Sequence, residues 1–130
     1  MTTSNGASTA MIKSIKEVVC DAGPIIHLDE LDCLDLLTDF QKIIVPATVC
    51  EEVERHRSSA LKRRDVMFTT LCQRSFPDEP LLTICEVFSL DEGEIEALAV
   101  MKKNPRAMFL ADDASARLVA EHFVHKTFTA

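Results

Sequence analysis

Apolar positions along this chain fall into two alternating patterns. Short runs rich in β-branched residues occur at Val18-Val19-Cys20, Ile43-Ile44-Val45, Ile84-Cys85-Glu86-Val87-Phe88 and Met108-Phe109-Leu110, and Val124 to Phe128 adds a fifth, more polar run. All have strand length, so each is expected to be a strand. Between them the period becomes helical. Leu28, Leu31, Leu34 and Leu37 recur every third residue with Leu36 on the same side, which predicts one apolar helix face. Pro46 follows the second run and suits the first turn of a helix, where its missing N–H would have no partner anyway. That helix carries Val49 and Val53 inward. Residues 58–72 are expected to form a further helix, and 73–80 (QRSFPDEP) a loop punctuated by two prolines.

Asp91-Glu92-Gly93-Glu94 is a helix start signal, an Asp cap answered by Glu three positions on. The helix behind it buries Ile95, Leu98 and Ala99. Asp113-Ala114-Ser115-Ala116 opens another helix through Leu118, Val119 and Ala120. Strands alternating with helices imply βαβ units and a mostly parallel sheet covered on both faces. The expected fold class is α/β.

The chain's 130 residues fit a single domain. The opening MTTSNGASTAM is small and polar, with no apolar stretch to suggest secretion. Residues 1–16 are expected to be a disordered or partly ordered leader, and 17–130 the domain. No apolar run approaches the ~18–20 residues that a membrane span needs. The 5 cysteines form no C-x-x-C pair, and each has apolar neighbours. They read as free thiols, which argues against zinc and for a cytoplasmic setting.

A net charge of −7 argues against a nucleic-acid partner held by a basic surface. Its distribution softens that argument. Arg55, Arg57, Lys62, Arg63 and Arg64 make one stretch strongly basic, either a solvated helix face or a track for an RNA backbone.

The acids carry the chemistry. In open parallel sheets, ligands bind beyond the carboxyl ends of the strands. Asp21 ends the first strand; Glu51 and Glu52 lie early in the helix after Val45; Glu94 and Glu96 lie early in the helix opened by Asp91; Asp112 and Asp113 follow Leu110. Four βα junctions thus bring carboxylates to one rim. Singly, Asp91, Asp113, Asp112, Glu94 and Glu52 are explained as caps or as acids favoured by the helix dipole. Jointly they would repel one another, and a divalent cation relieves that repulsion. Oxygen-only ligands select Mg²⁺ or Mn²⁺ over zinc, as metal-assisted phosphodiester hydrolysis requires. His27 reads as a packing or surface histidine, and His56, His122 and His125 show no metal spacing. No nucleophile elbow, P-loop or G-x-G-x-x-G is present.

Four segments resemble blocks of the PIN-domain family. VVCDAGPIIHL (Val18–Leu28) looks like its opening strand and Asp. VPATVCEEV (Val45–Val53) is similar to its P-x-x-V-x-x-E block, which points to Glu52 over Glu51. LDEGEIEALA (Leu90–Ala99) and LADDASAR (Leu110–Arg117) resemble the G-E-x-E-A and D-D-x-x-x-R blocks of a prokaryotic branch of toxin-like ribonucleases. The resemblance implies a three-layer α/β/α fold with a mostly parallel central sheet of four to five strands. It also implies an endoribonuclease acting on single-stranded RNA with Mg²⁺ or Mn²⁺. Its acidic quartet would be Asp21, Glu52, Glu96 and Asp113, with Glu94 and Asp112 as alternates at the metal. Arg55, Arg57, Lys62, Arg63, Arg64 and Arg117 would steer the RNA. Relatives are often homodimeric toxins neutralised by a small antitoxin protein. They also continue with a Gly-containing turn and a final helix, so the domain is either truncated at Ala130 or has its sheet edge covered by other means, such as a second subunit. The rival expectations are a PIN-like module that binds RNA or protein without turnover, and a phosphoacceptor receiver domain.

Overall fold

The computed structural model describes residues 17–124. The expected leader at 1–16 and the part of the fifth expected strand at 125–128 lie outside the described residues. Four strands form one sheet: β1 (Glu17–Cys20), β2 (Lys42–Val45), β3 (Phe68–Thr70) and β4 (Met108–Leu110). Their order is β3-β2-β1-β4, and every pairing is parallel. Val19 and Ile44 are paired in register and face one side, while Cys20, Ile43 and Val45 face the other. Two cores result, one on each face of the sheet.

Helices α1 (Ala22–Glu30) and α2 (Ala47–His56) cover the second face with Ile25, Val49 and Val53. Helices α3 (Glu79–Val87), α4 (Glu92–Lys103) and α5 (Ala114–Val119) cover the first with Cys85, Leu98, Met101 and Val119. Burying each such side chain contributes roughly 1.5–3 kcal/mol. The α/β class and the three-layer arrangement are as the sequence implied.

Several elements differ. Ile84–Phe88 is not a strand: Asp78 caps α3 through the Leu81 N–H at 3.0 Å, Pro80 sits in its first turn, and Leu81 and Cys85 recur one turn apart. The expected helix over 58–72 is a short 3-10 turn at Ala60–Lys62 followed by β3. Pro46 stands at the cap position of α2 rather than within its first turn. The expected face of Leu28 to Leu37 is broken, because α1 ends at Glu30 and Asp32 turns the chain at φ 57° before a 3-10 segment at Leu34–Asp39. Leu34 and Leu37 are buried, whereas Leu31 and Leu36 are 70% and 63% exposed. Val124 ends a π-helical extension of α5 (Ala120–Val124) and does not start a strand.

Candidate active site

Parallel strands put all four carboxyl ends on one edge. The strand order reverses between β1 and β4, so a crevice opens beyond those two strands. Asp21 and Asp112 stand there. The Asp21 N–H bonds to the Leu110 carbonyl at 2.9 Å, which ties the ends of β1 and β4 together. The Asp21 Oδ1 accepts the Ala22 N–H at 2.8 Å and caps α1. Asp113 caps α5 by accepting the Ala116 N–H at 2.8 Å.

Asp91 and Glu94 form a reciprocal capping box on α4. Asp91 Oδ1 accepts the Glu94 N–H at 2.8 Å, and Glu94 Oε1 accepts the Asp91 N–H at 2.9 Å. Gly93, inside that turn, is where three elements converge. A Cβ placed on Gly93 would lie 3.6 Å from Asp91 Oδ1, 3.8 Å from Glu52 Oε1 and 3.9 Å from Asp21 Oδ1. Gly23 performs a similar service for Asp112, whose carboxylate would lie 2.3–2.6 Å from a Cβ there. Only a glycine leaves room for that carboxylate to lie against α1. Asp112 Oδ2 also meets His27 Nδ1 at 3.3 Å.

The electrostatics fit this crowding. Asp21 is only 7% exposed, and burial is the main force pushing its carboxyl up to about 7. The Ala22 N–H pulls the other way, while the charges of Glu94, Asp91 and Glu52 push it further up. Burial likewise raises the Glu94 carboxyl, with Asp91, Asp113 and Asp112 adding to the rise. Both shifts arise because a carboxylate loses solvation next to like charges. Burial and the neighbouring Asp21 and Asp112 also push the Cys20 thiol up, so it stays protonated and inert.

Glu96 belongs to a different arrangement. It is 3% exposed, its Oε1 accepts the Thr48 N–H at 2.7 Å, and its Oε2 accepts the Ser75 N–H at 2.7 Å. Both oxygens are thus engaged in clamping the start of α2 and the loop after β3 onto α4. Of the two glutamates expected at the metal, Glu94 interacts with Asp21, Asp91, Asp112 and Asp113, and Glu96 accepts two backbone N–H groups. The Thr48 hydroxyl next to this clamp is buried without a hydrogen-bond partner among the described residues.

The expected basic track is carried elsewhere. Arg55 and Arg57 end α2, and Lys62, Arg63 and Arg64 precede β3, so the stretch lies toward the opposite edge of the sheet. Arg57 Nε is bound to Asp29 at 2.6 Å, and Arg63 forks onto Asp65 at 2.8 and 2.5 Å. Arg117 does stay near the rim, its Nη1 donating to the Ala111 carbonyl at 3.0 Å. Sequence reasoning missed Asp91 as a member of the acidic group, His27 beside Asp112, and Arg74 in the loop after β3. Asp91 and Arg74 could have been found only by placing β3 and the capping box together.

Among the described residues, no three His, Cys, Asp or Glu side chains stand close enough together to hold a metal ion as they are. The donor chemistry nonetheless suits a hard cation. Every candidate ligand is a carboxylate oxygen, three of them within 3.9 Å of one point, and the buried Asp21 is penalised when charged. Mg²⁺ keeps several waters and takes one or two carboxylates directly, so a loose acidic ring matches its demands better than a tight cage. A family model described as a PIN domain matches residues 17–127. No match was found among curated proteins or among solved structures.

Proposed function

This chain belongs to the PIN-domain family, whose members are generally nucleases, and from that premise we propose that it is a metal-dependent endoribonuclease hydrolysing single-stranded RNA. The observation that carries the reading is the convergence of Asp21, at the carboxyl end of β1, with Glu52 and Asp91 around Gly93. Acids so placed destabilise the apo state and favour a bound divalent cation.

Asp21, Glu94, Asp112 and Asp113 would hold Mg²⁺ or Mn²⁺. When bound, that cation supplies Lewis acidity toward the phosphate. Glu52, half-buried on the first turns of α2, would orient the attacking water and take its proton. Its Oε1 reaches to 3.8 Å from a Cβ placed on Gly93, where Asp21 Oδ1 also comes within 3.9 Å. Arg117 would help position the RNA backbone from the β4 side. In this assignment Glu94 takes the role that the sequence resemblance gave to Glu96, because Glu96 has both oxygens committed to backbone donors.

A second reading, a module that binds RNA without turnover, draws on the absence of a preassembled ligand triad among the described residues. One experiment separates the two. A labelled, unstructured RNA is incubated with MgCl₂, MnCl₂ or EDTA, with wild type beside Asp21→Asn. The nuclease reading expects cleavage with either metal, none in EDTA and none from the variant. Cleavage that survives Asp21→Asn would sink the site assignment, and metal-independent binding without turnover would favour the second reading. The toxin role belongs to the same proposal: expression of the wild type should arrest growth, and expression of Asp21→Asn should not.

A further inference from the structure

The rim has a fourth quarter that the acids do not use. Along the carboxyl edge the junctions follow the sheet order: Asp112 and Asp113 after β4, Asp21 after β1, Glu52 after β2, and then the loop 71–78 after β3. That loop carries Arg74, Ser75, Phe76 and Pro77. Together with Leu82 of α3 and Glu92, Ile95 and Glu96 of α4 they line an open cavity of about 380 Å³. Phe76 is 74% exposed.

A single exposed ring needs no explanation by itself. Three further facts single this one out. The ring borders a cavity whose size falls within the range of small-ligand sites, about 300–1,000 Å³. The cavity's walls are apolar (Phe76, Pro77, Leu82, Ile95) and its remaining lining is polar and charged, with Arg74 paired to Glu92. The loop is tied to α4 and to the start of α2, which carry Glu94 and Glu52, because Glu96 accepts the Ser75 N–H with one oxygen and the Thr48 N–H with the other.

We propose that this cavity is a nucleobase subsite: an unpaired base flanking the cleaved phosphodiester stacks on Phe76 while Arg74 turns from Glu92 to the adjoining phosphate. The proposal rests on the RNA-cleaving reading above for the identity of the polymer. Adjacent strands are about 5 Å apart, so the end of β3 lies roughly 10 Å from the end of β1. A nucleotide next to the one held at Asp21 can span that distance. Single-stranded RNA is recognised by stacking unpaired bases on aromatic rings and on guanidinium planes, and a duplex offers no free base face. The subsite therefore selects single strands over duplexes without reading sequence. It also supplies a cation at the rim, from which the stretch Arg55–Arg64 lies away.

The test measures binding in EDTA, where no cleavage occurs. Anisotropy of a short fluorescein-labelled, unstructured RNA is compared with that of the same RNA annealed to its complement. Proteins are wild type, Phe76→Ala, Phe76→Trp and Arg74→Ala. Phe76 is exposed, so its removal leaves the core untouched, and thermal melts check this. Phe76→Ala is expected to weaken single-strand binding about tenfold, Phe76→Trp to keep it, and neither to change duplex binding. Arg74→Ala is expected to weaken single-strand binding and flatten its salt dependence. Equal affinities of wild type and Phe76→Ala would overturn the subsite, as would an equal loss on duplex. A cleaving enzyme whose binding ignores Phe76 would refute the subsite alone. Phe76-dependent binding with no cleavage in Mg²⁺ would refute the nuclease reading alone.

Discussion

Replacing Asp21 by Asn should stabilise the metal-free protein at pH 8 and do far less at pH 5. The Asp21 carboxyl is pushed from 3.8 to about 7, mainly by burial. Its folded value thus lies above its unfolded one, so the folded state holds the proton more tightly. Below 3.8 both states are protonated and the charge costs nothing. Between 3.8 and about 7 the unfolded chain releases a proton that the folded chain keeps, and stability falls as pH rises. Above 7 the loss is complete. At about 1.4 kcal/mol per pH unit it amounts to about 4 kcal/mol, and less than half of that at pH 5. Asparagine accepts the Ala22 N–H as well as aspartate does, so the α1 cap survives. Urea unfolding in EDTA at both pH values, wild type against variant, reads the difference directly. Parallel pH profiles for the two proteins would refute the claim that burial penalises the charged form of Asp21. Mg²⁺ should then narrow the gap at pH 8: at a hundredfold excess over Kd it stabilises wild type by about 2.7 kcal/mol, and the variant by much less.

Gly23→Ala should separate stability from activity. Its Cβ would displace the half-exposed Asp112 carboxylate and part it from His27, while alanine gains up to about 1 kcal/mol in a helix. The melting temperature should hold or rise as cleavage falls. Glu96→Ala should do the reverse of a pure catalytic change. It leaves the Thr48 and Ser75 N–H groups without their acceptor, at a cost of about 3 kcal/mol or more, seen as a melting point lower by roughly 10 °C. Glu94→Gln should lower cleavage ten- to a hundredfold with only a small change in melting temperature. Equal effects of the Glu94 and Glu96 changes on both readouts would undo the division of roles drawn between them.

The strands at the middle of the sheet were legible because they are buried on both faces, which demands the β-branched runs at Val18–Cys20 and Ile43–Val45. β3 was not. It is three residues long, at the sheet edge, with Thr70 exposed and neither Phe68 nor Thr69 fully buried, so no apolar pattern announces it. Ile84–Phe88 misled for the opposite reason: a β-branched run looks like a strand unless its neighbours are read as well. Asp78 and Pro80 are a helix start, and Leu81, Cys85 and Phe88 recur at helical spacing. At the site, Asp21, Glu52, Asp112 and Asp113 could be placed at the rim from topology alone. The choice between Glu94 and Glu96 could not, because both lie early in α4, two positions apart. What distinguishes them is that Glu96 meets backbone donors at Thr48 and Ser75, which are far away in sequence.

The capping box at the start of α4 has a further consequence for how tightly a cation could be held. A free glutamate side chain loses up to about 2 kcal/mol of rotamer entropy when it is fixed. Glu94 has already lost much of it, because its Oε1 is tied to the Asp91 N–H, while its other oxygen carries no hydrogen bond among the described residues. The ordering cost of this ligand is met when the helix folds, not when the ion arrives. Preorganisation of this kind strengthens binding without adding a contact. An Asp91→Ala change, which loosens the box, should therefore weaken cation affinity more than the loss of one carboxylate's charge would suggest.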